Sequence, residues 1–232
     1  MPRFFVGTDQ ISDKNIVITG TDVNHIRNVL RMAPGEEVTV SDGQGMDYFC
    51  KIAELTKEEV RLDIIDSWHS FVELPAKIYL FQGLPKADKM ELIIQKAVEL
   101  GVYEIVPVAT KRAVVKLDAK KEEKKRLRWQ SIAESAAKQA GRALIPQVAP
   151  CMNFDKALRM CNGLDAALIP YEKAEGMQHA RDQVRALHGK HSIGIFIGPE
   201  GGFEESEIEA ARGAGAVPIT LGHRILRTET AG

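Results

Sequence analysis

The sequence predicts an α/β fold in which a small β-rich part precedes a larger part with a parallel sheet. Three observations predict it. Up to Val72, short runs such as NIVIT and EEVRLDIID alternate apolar and polar residues, the pattern of half-buried strands. From Ile78 onward, the runs IYLFQG, VYEIVPV, DAALIPY, SIGIFIG and VPITLG are apolar nearly throughout and alternate with helical stretches. Such strands are buried on both faces, as in a parallel sheet covered by helices. The length, 232 residues with 44% hydrophobic and 27% charged side chains, suits one large domain or two small ones with a sizeable core.

Each element follows in order. RFFV and NIVIT read as short strands. In TDVNHIRNVLRM, Val23, Ile26, Val29 and Leu30 share one helical face, and Thr21 is placed as N-cap. EEVTV, MDYFCKIAEL and EEVRLDIID are strands, and Asp42-Gly43 with Gly45 between the first two marks a hairpin. A small barrel or curled sheet with one helix results. SWHSFVELPA, Ser67 to Ala76, breaks the alternation and carries Pro75, so the domains are placed at residues 1–72 and 73–232. Asp88 and Glu91 have the spacing of a capping box before the helix MELIIQKAVEL, which ends at Gly101, a residue suited to a left-handed C′ position. A basic helix from about Glu122 to Ala140 follows, then FDKALRMC, GMQHARDQVRALH and EESEIEAARGAG as helices between the remaining strands.

Formal charge is −1 for the whole chain, but it is unevenly placed. From Met1 to Val72, 7 basic residues face 12 acidic ones, net −5; from Lys111 to Arg142, 11 face 4, net +7. A patch of that sign binds a polyanion or forms a solvated helix face. Cys50, Cys151 and Cys161 are odd in number and without paired spacing, which argues for a reducing compartment. No apolar run has the length of a membrane span and MPRFFVGTDQ has no signal-peptide core, so a cytoplasmic location is expected.

The chemistry points to IGPEGGFEESE, Ile197 to Glu207. It follows a strand of the parallel sheet, where such sheets bind ligands. Glycines let the backbone approach a ligand, and Pro199 stiffens the loop. Glu200, acceptor-only when ionised, suits amines, hydroxyls or a cation and repels phosphate. The loop matches neither a dinucleotide nor a Walker A pattern. A tight strand-to-helix turn is the bland reading. Two more strand ends, near Pro170 and Gly222, share the permissive backbone, and the last carries Arg224, Arg227 and Glu229. Three such ends suggest one crevice.

IGPEGGF, LGHRILRTETA, PKADKMELIIQKAVELGV and ESAAKQAGRALIP resemble the bacterial 16S rRNA uridine N3-methyltransferase family, RsmE, of the SPOUT class, over nearly the whole chain. The resemblance implies a PUA-like β-barrel at the N-terminus, a C-terminal trefoil knot and a homodimer in which the partner completes each active site. It implies S-adenosylmethionine in the knot crevice, held largely by backbone groups. Its three loops would be formed by Ile169 and its neighbours, by Gly198, Pro199, Glu200 and Gly201, and by Leu221, Gly222, Arg224, Ile225 and Leu226. The substrate would be 16S rRNA in the small ribosomal subunit. The family carries a further helix after the motif that ends this sequence, and Ala87 stands where the family usually has glycine.

Methylation at uracil N3 requires loss of its proton and stabilisation of the resulting charge on O2 and O4. Arg142 and Arg227 are the candidates for charge stabilisation, Glu229 and Glu134 for the base; each arginine has an ion pair or phosphate contact as its rival role. RNA contacts are expected from Lys124, Lys125 and Arg128 on the basic helix, with Lys120, Lys121 and Arg126, and from Arg3, Arg27 and Arg31, with His25, in the first domain. Trp129 either stacks on a base or anchors the core. His188 and His191 have no further ligands nearby, and no metal is expected. Rival readings are a SPOUT enzyme for another RNA position, a non-catalytic ribosome-assembly factor that binds RNA, and a small-molecule binder.

Overall fold

A computed structural model describes residues 1–114, 118–174 and 176–232. It divides into two compact units, Met1–Glu73 with Ala137–Ile145, and Leu74–Ala136 with Pro146–Gly232.

The first unit is a five-stranded sheet of β1 (Arg3–Phe5), β2 (Asn15–Thr19), β3 (Glu37–Ser41), β4 (Met46–Leu55) and β5 (Glu59–His69), in the order β1-β3-β4-β5-β2. Only β1 and β3 pair in parallel. The alternation read from sequence is real: Ile16, Ile18, Val60 and Leu62 point inward with Val38, Val40, Cys50 and Ile52. Register shifts at Phe49/Cys50 and Ile52/Glu54 curl the long β4–β5 hairpin. β5 runs on through the expected break at Ser67, because Ser67, Trp68 and His69 still pair with Tyr48, Asp47 and Met46. Helix α1 (Thr21–Asn24) has Gly20, not Thr21, at its N-cap. It runs into a π-helical turn, His25–Val29. The wider turn keeps Val23 and Ile26 buried but carries Val29 and Leu30 off the inner face into solvent.

The second unit is a seven-stranded sheet of β6 (Lys77–Gly83), β7 (Glu104–Ala109), β8 (Gln147–Val148), β9 (Met152–Asn153), β10 (Ala166–Pro170), β11 (Ser192–Ile197) and β12 (Val217–Ile219). Their order is β12-β10-β11-β6-β7-β8, with β9 also on β7, and every pair is parallel. The connecting helices are α2 (Lys89–Glu99), α3 (Ala119–Ala140), α4 (Phe154–Cys161), α5 (Met177–Arg185), α6 (Glu205–Gly213) and α7 (Thr228–Ala231). Phe81 and Phe196 stack with centroids 4.4 Å apart, and Phe154 packs edge-on against Phe196. Trp129 is buried, so it serves the core rather than stacking on a base.

Two helix starts show how local signals compete. At α6 Glu207 closes a capping box by accepting the Glu204 amide at 2.9 Å. At α2 the expected box does not form, and Asp88 makes no capping bond. Glu91 is taken by Arg128, whose Nη2 donates to it at 2.9 Å. That pair is bidentate and joins two charged groups, where the box would give Glu91 one bond to a backbone amide. Gly101 does occupy a left-handed position, φ +100°. Among the described residues no helix is long and apolar enough to cross a membrane.

Candidate active-site crevice

The carboxyl ends of β10, β11 and β12 open into one crevice of about 820 Å³. Its walls are three loops, beginning at Pro170, Gly198 and Thr220, with Lys89 and Arg112 at the margin. The sequence builds the central loop from close backbone contacts. The Gly202 amide donates to Pro199 O at 2.9 Å, and Gly202 has φ +66°. A Cβ on Gly198 would stand 3.1 Å from Gly202 Cα. Gly83, at the end of β6, passes beneath the same loop: a Cβ there would meet Pro199 Cδ at 2.7 Å and Pro199 N at 2.8 Å. The loop is therefore seated on a strand that leaves it no alternative position.

A charge network braces this loop. The Glu200 carboxylate accepts the Lys86 amide at 3.1 Å and pairs with Lys89 Nζ at 3.1 Å. Lys89 also stands 3.3 Å from Glu229 Oε2, as an ion pair whose angle completes no hydrogen bond, so that buried oxygen has none. Arg227 lies 3.9 Å from the other Glu229 oxygen. Desolvation is the largest influence on Glu200 and pushes its pKa up, but its own amide, Lys89 and Lys86 together draw it below the ordinary value. Glu229 is also drawn down, first by its own amide and then, against desolvation, by Lys89. Lys89 is held above its ordinary value, chiefly by its bond to Glu200. Beneath these, buried Thr228 donates from Oγ1 to Gly198 O at 2.7 Å and accepts from Gln82 Nε2 at 3.0 Å.

Of the residues predicted from sequence, Gly198, Pro199, Glu200, Gly201, Leu221, Gly222, Arg224, Ile225, Leu226 and Arg227 line the crevice. Ile169 does not. It is fully buried in the core, and the wall begins at Pro170. Glu229 is tied to the crevice through Lys89 rather than lining it. Glu134 is exposed on α3 and is not a crevice residue. Arg142 belongs to the first unit. It is buried, its Nη2 2.6 Å from Glu73, and its carbonyl accepts Arg3 Nη1 at 3.1 Å. Arg3 in turn grips buried Asp47 at 2.9 Å. Both guanidiniums thus pair with internal carboxylates, the ion-pair role that rivals the catalytic and RNA-binding ones. Arg27 is half-buried, and Arg31, Lys124 and Arg128 are exposed. Lys125 lies 5.8 Å from the Trp129 ring centre. Sequence reasoning missed Gln82, Gly83, Lys89, Arg112 and Thr228 as parts of the site. Lys89 and Thr228 at least lie in the stretches that carry the resemblance. Among the described residues, no group of three or more His, Cys, Asp or Glu is arranged to hold a metal ion.

The sequence model of an RNA methyltransferase domain matches residues 72–232, and that of an RNA methyltransferase PUA domain matches residues 18–65. The chain is 39% identical to the ribosomal RNA small subunit methyltransferase E of Bacillus subtilis, covering 100% of this chain and 93% of that protein. It is 32% identical to the protein of the same name from Aquifex aeolicus, over 93% of this chain and 90% of the relative. In three dimensions it resembles the ribosomal RNA small subunit methyltransferase E of Neisseria gonorrhoeae solved with S-adenosyl methionine, with a TM-score of 0.86, 35% identity, and coverage of 100% and 93%.

Proposed function

We propose, given that this chain belongs to the ribosomal RNA small subunit methyltransferase E family, that it methylates 16S rRNA in the small ribosomal subunit at uridine N3, using S-adenosylmethionine. The observation that carries the reading is the crevice itself. Its central loop has no Cβ at Gly198, Gly201 or Gly202, which leaves backbone groups open to a ligand, and Leu221, Ile225 and Leu226 add an apolar rim. That donor set fits an adenosine-bearing ligand, with backbone groups for its polar edge and apolar side chains for its ring face. S-adenosylmethionine, when bound, supplies an activated methyl group on a sulfonium.

The chain's own residues have the remaining tasks. The Gly198–Gly202 loop, braced by Thr228 and Lys89, fixes the donor pocket so that the acceptor nitrogen meets the methyl group in line. Arg227, exposed at the crevice, remains a candidate for stabilising negative charge on the uracil oxygens. Glu229 has its pKa drawn down, which weakens it as a general base, so no side chain is assigned as the proton acceptor. RNA positioning falls to Arg27, Arg31, Lys124, Lys125 and Arg128, with Arg3 and Arg142 structural. The working division is a PUA-like RNA-binding domain over residues 1–72 and a methyltransferase domain over 73–232.

A C-terminal trefoil knot belongs to this reading. The chain passes from β11 to the edge strand β12, beyond β10, and then returns to place Thr228 against Gln82 of β6 and Gly198 after β11. A homodimer belongs to it as well, supported by Ile225, an apolar side chain fully exposed at the crevice rim that a second copy would cover. A cytoplasmic location follows from a ribosomal substrate. Calorimetric titration of the chain and of Gly198→Val with S-adenosylmethionine, followed by mapping of the nucleotide methylated in small subunits, tests the whole. Binding lost in the variant and a methyl group on uridine N3 are expected. A methyl group elsewhere would overturn the assigned position, and no wild-type transfer would overturn the activity.

A further inference from the structure

We propose that Arg112, just after β7, contacts the target nucleobase in the crevice and stabilises the negative charge that develops on it. The inference rests on the activity proposed above and names the group that recognises its substrate. Arg112 lines the crevice. Its Nη1 donates to Gly201 O at 2.9 Å, and a Cβ on Gly201 would stand 3.4 Å from Arg112 Cβ and 3.6 Å from Cδ. The stem is thus laid along the loop and the planar head is fixed at its lip. One donor of five is used, and among the described residues no carboxylate pairs with the guanidinium.

The mount is rigid. Buried Glu207 accepts the amide of Lys111 at 2.9 Å and that of Glu204 at 2.9 Å, so one carboxylate ties the Arg112 turn to the start of α6. Lys111 Nζ adds a bond to Ser206 Oγ at 2.8 Å. The other crevice cations differ. Lys89 is neutralised by Glu200 and Glu229, and Arg227 leans on Glu229. Arg224 is exposed on a loop whose own bonds join Thr220 to Gly222. A guanidinium held by its backbone and stem, with its charge uncommitted, is preorganised to meet a carbonyl oxygen as it gains charge. It takes no proton. The N3 proton leaves to solvent and its bonding pair stays on nitrogen; that pair forms the new N–C bond as the methyl–sulfur bond of the donor breaks, the sulfur keeping the electron pair and leaving as a neutral thioether.

The test compares the whole chain with Arg112→Ala and Arg112→Lys on unmethylated small ribosomal subunits, with S-adenosylmethionine affinity measured separately by calorimetry. In Arg112→Ala the expected fall in kcat is about 100-fold or more, with cofactor Kd within about threefold of wild type. Its pH–rate profile is expected to move to higher pH, because the N3 proton then leaves without help. Arg112→Lys, a point charge without the planar fork, should recover only part of the rate. Cofactor affinity that falls in step with rate would make Arg112 a loop brace and overturn the proposal, as would an Arg112→Ala rate near wild type. If the wild-type chain transfers no methyl group, the activity itself falls and takes this assignment with it.

Discussion

Gly83 lies outside every glycine-rich motif, yet Gly83→Ala is expected to damage the crevice as surely as a change within it. The added Cβ would stand 2.7 Å from Pro199 Cδ, 2.8 Å from Pro199 N and 3.2 Å from Gly198 C. Carbon atoms rest about 3.5–4.0 Å apart, so something must yield by close to an ångström. The strand has little room to move, since Gly83 is in register with Val108 and β6 lies between β11 and β7. The neighbour is backbone, not a flexible side-chain tip, so the Gly198–Gly202 loop must shift. Overpacking of this kind costs about 1–3 kcal/mol. If the cofactor restores the seated loop on binding, each 1.4 kcal/mol of that cost weakens its Kd about tenfold.

The control is Gly213→Ala, at the end of α6, where an added Cβ meets nothing within 4 Å. Alanine is favoured over glycine in a helix by up to about 1 kcal/mol, so this variant should be neutral or slightly stabilised. Urea denaturation at constant m-value reads the stability difference, and calorimetry reads the cofactor affinity. Should Gly83→Ala match Gly213→Ala in both, the claim that β6 seats the loop is refuted.

Three further outcomes are expected. Ala87 adopts φ +53°, which costs an L-residue roughly 1–2 kcal/mol; glycine's extra unfolded-state freedom returns about 0.4–1 kcal/mol, so Ala87→Gly should raise the urea midpoint by the equivalent of about 0.5–1 kcal/mol. Lys89→Met should lower stability at neutral pH and weaken cofactor binding; because Glu200 and Glu229 sit below their ordinary value of 4.5, the stabilisation is present above that pH and lost as pH falls through the depressed pKa values, so wild type and variant should converge in acid denaturation. Burial pushes the thiol of Cys50 to about 12 and that of Cys161 to about 11, so a thiol reagent at pH 8 should label these two only as fast as the chain opens, and labelling at the rate of a free thiol would contradict the burial.

The sheet and the loops were legible for different reasons. Parallel strands such as SIGIFI are buried on both faces and so betray themselves as apolar runs. The crevice loops betray themselves because only certain residues tolerate such a backbone. What stayed hidden are pairings over long separations. Glu200 meets Lys86 across 114 residues, and Gln82 meets Thr228 across 146. An arginine gives no sign in sequence of whether it faces solvent or a buried carboxylate, so Arg142, bound to Glu73 across 69 residues, resembled a free end of the basic helix. The failed capping box at Asp88 has the same root, since its second member was claimed by Arg128 from another helix.

Those long-range pairings also decide which charges remain for a substrate. Lys89 lies between two carboxylates, and Arg227 shares one of them. Two positive and two negative groups cancel within the brace. Arg112 and Arg224, without carboxylate partners among the described residues, then give the crevice mouth its positive sign. An anionic RNA strand is drawn by that sign. The interior meets a methyl donor whose own positive charge disappears on transfer. The charge left to stabilise is therefore the one on the acceptor base, which is why a fixed, unpaired guanidinium at the lip carries more mechanistic weight than the acids that the motif displays.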